Sequence, residues 1–100
     1  MSVRLLQIER CPWCAAARQA LANVGVEYEI VNVSLEREGR DEVAAVSGQR
    51  LVPVLIDGQT VVWDSRRIVR HLYLHHGGPE RARSISELPA DVGGERTLSA

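Results

Sequence analysis

Apolar and polar positions change period several times along the chain, and each change marks an element. Val3-Arg4-Leu5-Leu6-Gln7-Ile8 is short, mostly apolar and β-branched at both ends, which predicts a buried strand stopping at Glu9-Arg10. From Pro12 the spacing becomes helical. Ala15, Ala16, Gln19, Ala20 and Ala22-Asn23 fill a helix former's window, Leu21 and Val24 supply core anchors, and Gly25 is placed to end the helix. Pro12 suits a first turn, where its missing N–H would have had no intrahelical acceptor. Val26–Val33 alternates, with Tyr28, Ile30 and Asn32 on one face and Glu27, Glu29 and Val31 on the other, and reads as a second strand.

Ser34 is placed to cap a helix from Leu35 to about Ala45. Glu36 and Glu38 lie where amide ends are unsatisfied, and Val43 and Val46 continue an apolar stripe that Gly39 weakens. A loop from Ser47 to Leu51 leads into Val52–Ile56, Asp57-Gly58 is a hairpin signal, and Thr60–Val62 returns as an antiparallel partner. Asp64-Ser65 then precedes a helix whose apolar positions Ile68, Val69, Leu72 and Tyr73 recur at three- and four-residue spacing until Gly77-Gly78-Pro79. The order strand, helix, strand, helix, strand, strand, helix implies an α/β domain with a four-stranded mixed sheet and helices on its faces. Past Pro79 only Ile85, Leu88, Val92 and Leu98 are bulky and apolar. Residues 1–78 are therefore expected to form the domain, and residues 79–100 a tail, flexible or at most one loosely docked helix.

Length and charge narrow the function. At 100 residues and 11.1 kDa the chain is one domain by size. Twelve arginines and no lysine stand against thirteen acidic residues, for a net charge of −1 with the signs interspersed. Phosphate-based nucleic-acid binding calls for a basic excess or stripe, and neither is present. No apolar run approaches the length of a membrane span or a signal-peptide core, so a cytoplasmic protein is expected. Cys11 and Cys14 are the only cysteines, too few for a disulfide framework, and at this spacing they are reactive or metal-binding.

Cys11-Pro12-Trp13-Cys14 lies where the first strand gives way to the first helix. Free amides and the positive end of the helix dipole favour a thiolate there, so Cys11 should be the more acidic and exposed sulfur and Cys14 the one that resolves a mixed disulfide. The other reading of the pair is half a zinc site, for which His71, His75 and His76 are the remaining candidates at an unsuitable spacing. Trp13 offers an apolar wall for a thiol substrate, and Trp63 either joins it or seals the core. Proline at position 53 cannot donate to a sheet ladder. A cis Val52–Pro53 bond would leave the backbone of Val52 free for an extended partner. Asp64-Ser65 caps the last helix, and the same group could take a carboxylate on its amides and hydroxyl and an ammonium on Asp64. Gln49 and Arg50 could meet the far end of a small zwitterionic peptide, whereas Arg66, Arg67 and Arg70 read as solvated helix surface.

Taken in order, the Cys11–Cys14 motif, Gly48-Gln49-Arg50-Leu51-Val52-Pro53-Val54, and Asp57-Gly58 followed by Asp64-Ser65 resemble the glutaredoxin family and, almost equally, the N-terminal thioredoxin-like domain of glutathione S-transferases. The resemblance covers residues 3 to 76. It implies a thioredoxin-like, glutaredoxin-type fold and a glutathione-dependent thiol–disulfide oxidoreductase acting on glutathionylated or disulfide-containing proteins. Cys11 would attack, and Val52, before a cis Pro53, would pair with the glutathione cysteine. Asp64 with Ser65 would hold the γ-glutamyl end, and Gln49 would lie near the glycyl carboxylate, with Trp13 beside the sulfur. Trp13 stands where glutaredoxins usually have tyrosine, Ile8 where they often have a basic residue, and Asp64-Ser65 is closer to the Glu-Ser pair of the transferase domain. The chain stops before an all-helical second domain, so transferase activity by the chain alone is not expected. A monomer with no bound cofactor, no metal and glutathione as co-substrate is expected. The alternatives are an electron donor recycled by thioredoxin reductase or another small thiol, and a non-enzymatic module that binds glutathione, a metal or a protein.

Overall fold

A computed structural model describes residues 2–77 and 91–98. The first strand, β1 (Val3–Gln7), runs into α1 (Pro12–Val24), which returns the chain to β2 (Glu29–Asn32). A 3-10 turn (Arg37–Gly39) and α2 (Asp41–Ser47) follow, then the hairpin β3 (Val54–Asp57) and β4 (Thr60–Trp63), α3 (Ser65–His76) and β5 (Gly94–Thr97). The sheet order is β2-β1-β3-β4-β5, with β1 and β2 parallel and every other pair antiparallel.

Period-two alternation sorts the strand side chains into two cores. Leu5, Leu55 and Val62 face Ala17, Ala20 and Leu21 of α1 and Ile68 and Leu72 of α3. Leu6, Val54, Ile56 and Val61 point the other way, onto Val43 of α2 with Val31, Val33 and Val46 around it. Helices thus cover both faces of a mixed sheet, giving the three layers of the thioredoxin-like fold. The strand β3 begins at Val54 rather than Val52: Val52–Pro53 is a cis peptide, and Pro53 has no N–H for the ladder.

Two elements differ from the pattern-based expectation. The helix expected from Leu35 to Ala45 is broken into the 3-10 turn and α2. Ser34 Oγ accepts from the Glu36 N–H at 3.2 Å, which closes a local turn. The carbonyls of Ser34 and Leu35, which a continuous helix would direct at the amides four residues on, are taken by the buried Arg40 guanidinium at 2.7 and 2.8 Å. A third Arg40 bond, to the Arg50 carbonyl at 3.0 Å, ties this corner to the loop before Pro53.

The second difference is a fifth strand where only a tail is expected. Residues 79–90 and 99–100 of that tail lie outside the described residues. Gly94–Thr97 pairs along the edge of β4, Leu98 N–H donates to Gln59 O at 2.7 Å, and Arg67 pairs with Glu95 at 2.7 Å. Its sequence, Gly-Glu-Arg-Thr, has no apolar face, since an edge strand lying mostly in solvent needs none. Gly93, at φ 63°, comes so close to β4 that a Cβ would sit 2.0 Å from the Trp63 carbonyl oxygen, and only glycine meets both demands.

Arg40→Met should leave three inward carbonyls without their donor and lower stability by about 2–3 kcal/mol, in the range of hydrogen bonds to charged groups. Urea denaturation followed by far-UV circular dichroism would read this as a lower midpoint at unchanged slope, and an unchanged midpoint would show that water replaces the guanidinium.

Candidate functional site

At the C-terminal end of β1 the chain turns through Glu9-Arg10 and enters α1 with Cys11 as the N-cap residue, in extended conformation (φ −99°, ψ 122°). Its carbonyl accepts the Ala15 N–H at 3.0 Å, the first turn of the helix, while its side chain makes no capping bond. Cys11 is half-buried, Cys14 one turn on is wholly buried, and both are free thiols. The expected order of exposure is therefore the observed one. Burial pushes the Cys14 thiol up to about 11; the Ile8 backbone opposes this, the hydrogen bond and charge of Cys11 add to it, and Arg18 opposes it weakly. At neutral pH Cys14 consequently keeps its proton.

Beside this pair opens a cleft of about 770 Å³ lined by Trp13, Arg37, Gln49, Leu51, Val52, Pro53, Trp63, Asp64, Ser65, Arg66 and Gly93. All six residues that the resemblance assigns to glutathione, Trp13, Gln49, Val52, Pro53, Asp64 and Ser65, lie on its walls. Cys11 and Cys14 do not line it; Trp13, between them in sequence and 62% exposed, carries α1 to its rim. Leu51 faces it as a second exposed apolar group. Convergence follows from topology: β1 and β3 are antiparallel with Leu6 opposite Val54, so the residues after β1 meet those before β3.

Polar groups shape the cleft in ways that sequence does not specify. Gln49 turns its carboxamide onto its own loop: Nε2 donates to Ser47 Oγ at 2.9 Å and Leu51 O at 3.0 Å, and Oε1 accepts the Leu51 N–H at 2.8 Å. Arg50, expected at the far end of a bound peptide, faces away, donating to Arg37 O, Glu38 O and Asp41. Arg37 and Arg66 bring positive charge to the cleft instead. Arg66 reads from sequence as helix surface because adjacency to Asp64-Ser65 is the only signal that sets it apart from Arg67 and Arg70. Arg37 sits in a 3-10 turn that the expected continuous helix obscured.

Asp64 is the N-cap of α3 at φ 78°, a conformation side-chain-bearing residues seldom adopt. Its Oδ1 accepts the Arg66 N–H at 3.0 Å, and the guanidinium of Arg66 reaches both carboxylate oxygens at 3.2 Å. Burial works to raise the carboxyl, but the Arg66 side chain and the amides of Arg66 and Arg67 outweigh it and hold it below the ordinary 3.8. The histidines weighed as zinc partners for the cysteine pair are elsewhere. His71 and His76 converge on Asp57, whose strand partner is Val3, at the opposite end of β1 from Cys11.

Two outcomes follow. Iodoacetamide at pH 8 should give a single adduct, on Cys11, with Cys14 labelled only in denaturant; equal labelling of both in the native protein would contradict the burial of Cys14. Because the folded Asp64 carboxyl lies below its unfolded value, the stability it contributes is complete above about pH 5 and is lost as pH falls through its folded value. Acid unfolding of Asp64→Asn should therefore show a shallower loss of stability below about pH 4 than the parent.

Among the described residues no helix is long and apolar enough to cross a membrane. Residues 5–80 match the family model for the glutathione S-transferase N-terminal domain. The chain is 31% identical over 61 residues to an uncharacterized glutaredoxin-like 8.6 kDa protein of the rubredoxin operon of Clostridium pasteurianum, covering 60% of this chain and 81% of that protein. It is 33% identical over 55 residues to a glutaredoxin of Vernicia fordii, covering 51% and 53%. Among solved structures it is similar to glutathione transferase E6 of Drosophila melanogaster (TM-score 0.73, 26% identity, 79% of this chain and 37% of that one). It is similar also to a theta class glutathione S-transferase of Xanthomonas axonopodis pv. citri with glutathione bound (TM-score 0.70, 27% identity, 81% and 44%). The chain spans less than half the length of either transferase. Its thioredoxin-like fold, paired thiols and residue match together show that the chain belongs to the glutathione S-transferase N-terminal domain family and is related to glutaredoxin-like proteins.

Proposed function

We propose that the protein is a glutathione-dependent thiol–disulfide oxidoreductase of a reducing compartment such as the cytoplasm. The observation that carries this reading is the pairing of a half-exposed N-cap thiol, Cys11, with a fully buried thiol one turn later, Cys14. The cleft beside them supports it. A γ-glutamyl group carries both an ammonium and a carboxylate, matching Asp64 and the Ser65 end of α3. Val52 offers backbone for pairing with the central cysteine of the tripeptide. Arg37 and Arg66 supply cations, and Trp13 packs against the thioether-like stem of the mixed disulfide. Gln49 acts first by holding the loop in shape.

In the proposed reaction the Cys11 thiolate attacks the glutathionyl sulfur of a protein–glutathione disulfide. The Cys11–glutathione bond forms, the old S–S bond breaks, and the protein thiolate leaves and takes up a proton. A second glutathione thiolate attacks the glutathionyl sulfur on Cys11, releasing glutathione disulfide and restoring the Cys11 thiolate. With a protein disulfide as substrate, Cys11 attacks one sulfur and releases the first thiolate, Cys14 then attacks Cys11 and frees the second, and two glutathione molecules reduce the Cys11–Cys14 disulfide so formed and leave as glutathione disulfide. Cys14 must lose its proton to attack. The Cys11 charge and hydrogen bond that help to retain that proton disappear once Cys11 is in a mixed disulfide, so resolution is favoured when it is needed.

The test is reduction of a glutathione mixed disulfide coupled to glutathione, glutathione reductase and NADPH. Cys11→Ser should lower turnover at least about a thousand-fold, as loss of a nucleophile does. Cys14→Ser should keep deglutathionylation and lose reduction of protein disulfides. No turnover by the parent with both thiols verified as reduced would overturn the reading, and recovery with thioredoxin reductase would identify a different electron source. The family match favours one second reading, presentation of glutathione to an electrophile, which would appear as conjugation that persists in Cys14→Ser.

A further inference from the structure

Three ionisable side chains converge at the end of the molecule that the cleft does not use. Asp57 closes β3 at the hairpin, and His71 and His76 come from the last turns of α3. Both imidazoles direct Nε2 at the same oxygen, Asp57 Oδ2, at 2.9 and 2.7 Å, and the ligand-capable atoms of the three residues lie within 4.8 Å of one another. We propose that Asp57, His71 and His76 form a binding site for a divalent transition-metal ion of the zinc class, built across the β3 hairpin and the C-terminal end of α3.

The chemistry of the donor set selects the class. Two imidazole nitrogens, which are borderline donors, beside one hard carboxylate oxygen suit Zn2+ or Co2+ better than Mg2+ or Ca2+, which take all-oxygen sets. Three protein ligands leave a fourth tetrahedral position for water. Zinc-to-ligand bonds of about 2.0–2.2 Å place neighbouring ligand atoms roughly 3.3 Å apart. The present His–Asp separations of 2.9 and 2.7 Å would have to open by about half an ångström, and the remaining pair of ligand atoms already lies within 4.8 Å. Each ring would bind as neutral imidazole with its proton on Nδ1, giving up the Nε2–H bond to Asp57.

The fold holds these ligands in place ahead of any ion. Asp57 pairs with Val3 on one side and Thr60 on the other, and the next N–H, of Gly58, donates to Ser2 O at 3.0 Å. His71 precedes the core residue Leu72 and is 10% exposed; Asp57 is 12% exposed. His76, at 27%, forms the open side through which an ion and its water would enter. His75 is adjacent in sequence and its ring centroid lies 4.5 Å from that of His71, yet it is absent from the three-residue cluster, which makes it an internal control.

The site is independent of the redox reading, and the experiment keeps it so. The full chain carrying Cys11→Ser and Cys14→Ser, which removes the thiols as competing ligands, is titrated with Zn2+ by calorimetry and with Co2+ by visible absorption. The expected result is one ion per chain, a Co2+ spectrum without thiolate charge-transfer bands, and a rise in Tm with Zn2+. Adding His76→Gln or Asp57→Asn should weaken Zn2+ binding at least about ten-fold, whereas His75→Gln should not change it. Because Asp57 and His76 also tie the hairpin to α3, a readout without those substitutions is included: Zn2+ should shift the side-chain 15N resonances of His71 and His76. Absence of uptake, uptake unchanged by His76→Gln, or binding lost only with His75→Gln would each overturn the proposal.

Discussion

The register of β1 against β3, with Leu6 opposite Val54, is the constraint on which the rest of the site depends. Antiparallel pairing brings the residues that follow β1 next to those that precede β3, so Cys11 and the cis Val52–Pro53 bond meet at one end of the sheet. Side chains alternate across a sheet, and a slip of one residue would send Leu6 and Leu5 to the wrong faces. Two separate cores resist that slip, one beneath α1 and α3 and one beneath α2. Hydrophobic burial on both faces therefore fixes the geometry of a polar cleft at the sheet's end.

Within that frame the two thiols differ because they differ in solvation. Cys14 faces the core and keeps its proton; Cys11 is at the helix entrance, where side chains reach solvent. The asymmetry arises from one helical turn of separation across a buried-to-exposed boundary. The opposite wall is shaped by side-chain-to-backbone hydrogen bonds rather than by apolar packing. Arg40 gathers the carbonyls of Ser34, Leu35 and Arg50, and Gln49 closes its own loop through Ser47 and Leu51. Such bonds are strong when a charged donor is buried among carbonyls, and they let a segment without regular structure keep a definite form.

The sheet edge is protected by a similar combination. β5 pairs along β4 with few apolar contacts, relying on its ladder, the Arg67–Glu95 pair and the close approach of Gly93 and Gly94 to Trp63. Gly93 also reaches the cleft, so covering the edge and bounding the site are done by the same residues.

What the sequence determined by itself were the features with a strong local cause. Periodicity disclosed β1, α1, the β3–β4 hairpin and α3; Pro12 and Gly25 marked the ends of α1, and Asp64 the start of α3. The Cys11–Cys14 spacing at a strand-to-helix junction and the awkward Pro53 at a strand's start both pointed to one end of the sheet. Tertiary structure decided the rest. Arg40 outcompeted helical amides for the carbonyls of Ser34 and Leu35, a choice that depends on the distant Arg50 loop. Arg50 turned from the cleft because it follows Asp41, nine residues away on α2, whereas Arg66 entered it beside its local partner Asp64, whose cap the tertiary structure places on the cleft wall. β5 formed without an apolar pattern because its partner strand supplies the hydrogen bonds. His71 and His76, rather than the neighbouring His75, share a carboxylate oxygen because Asp57, brought by the hairpin from a different layer, set the point on which their Nε2 atoms converge.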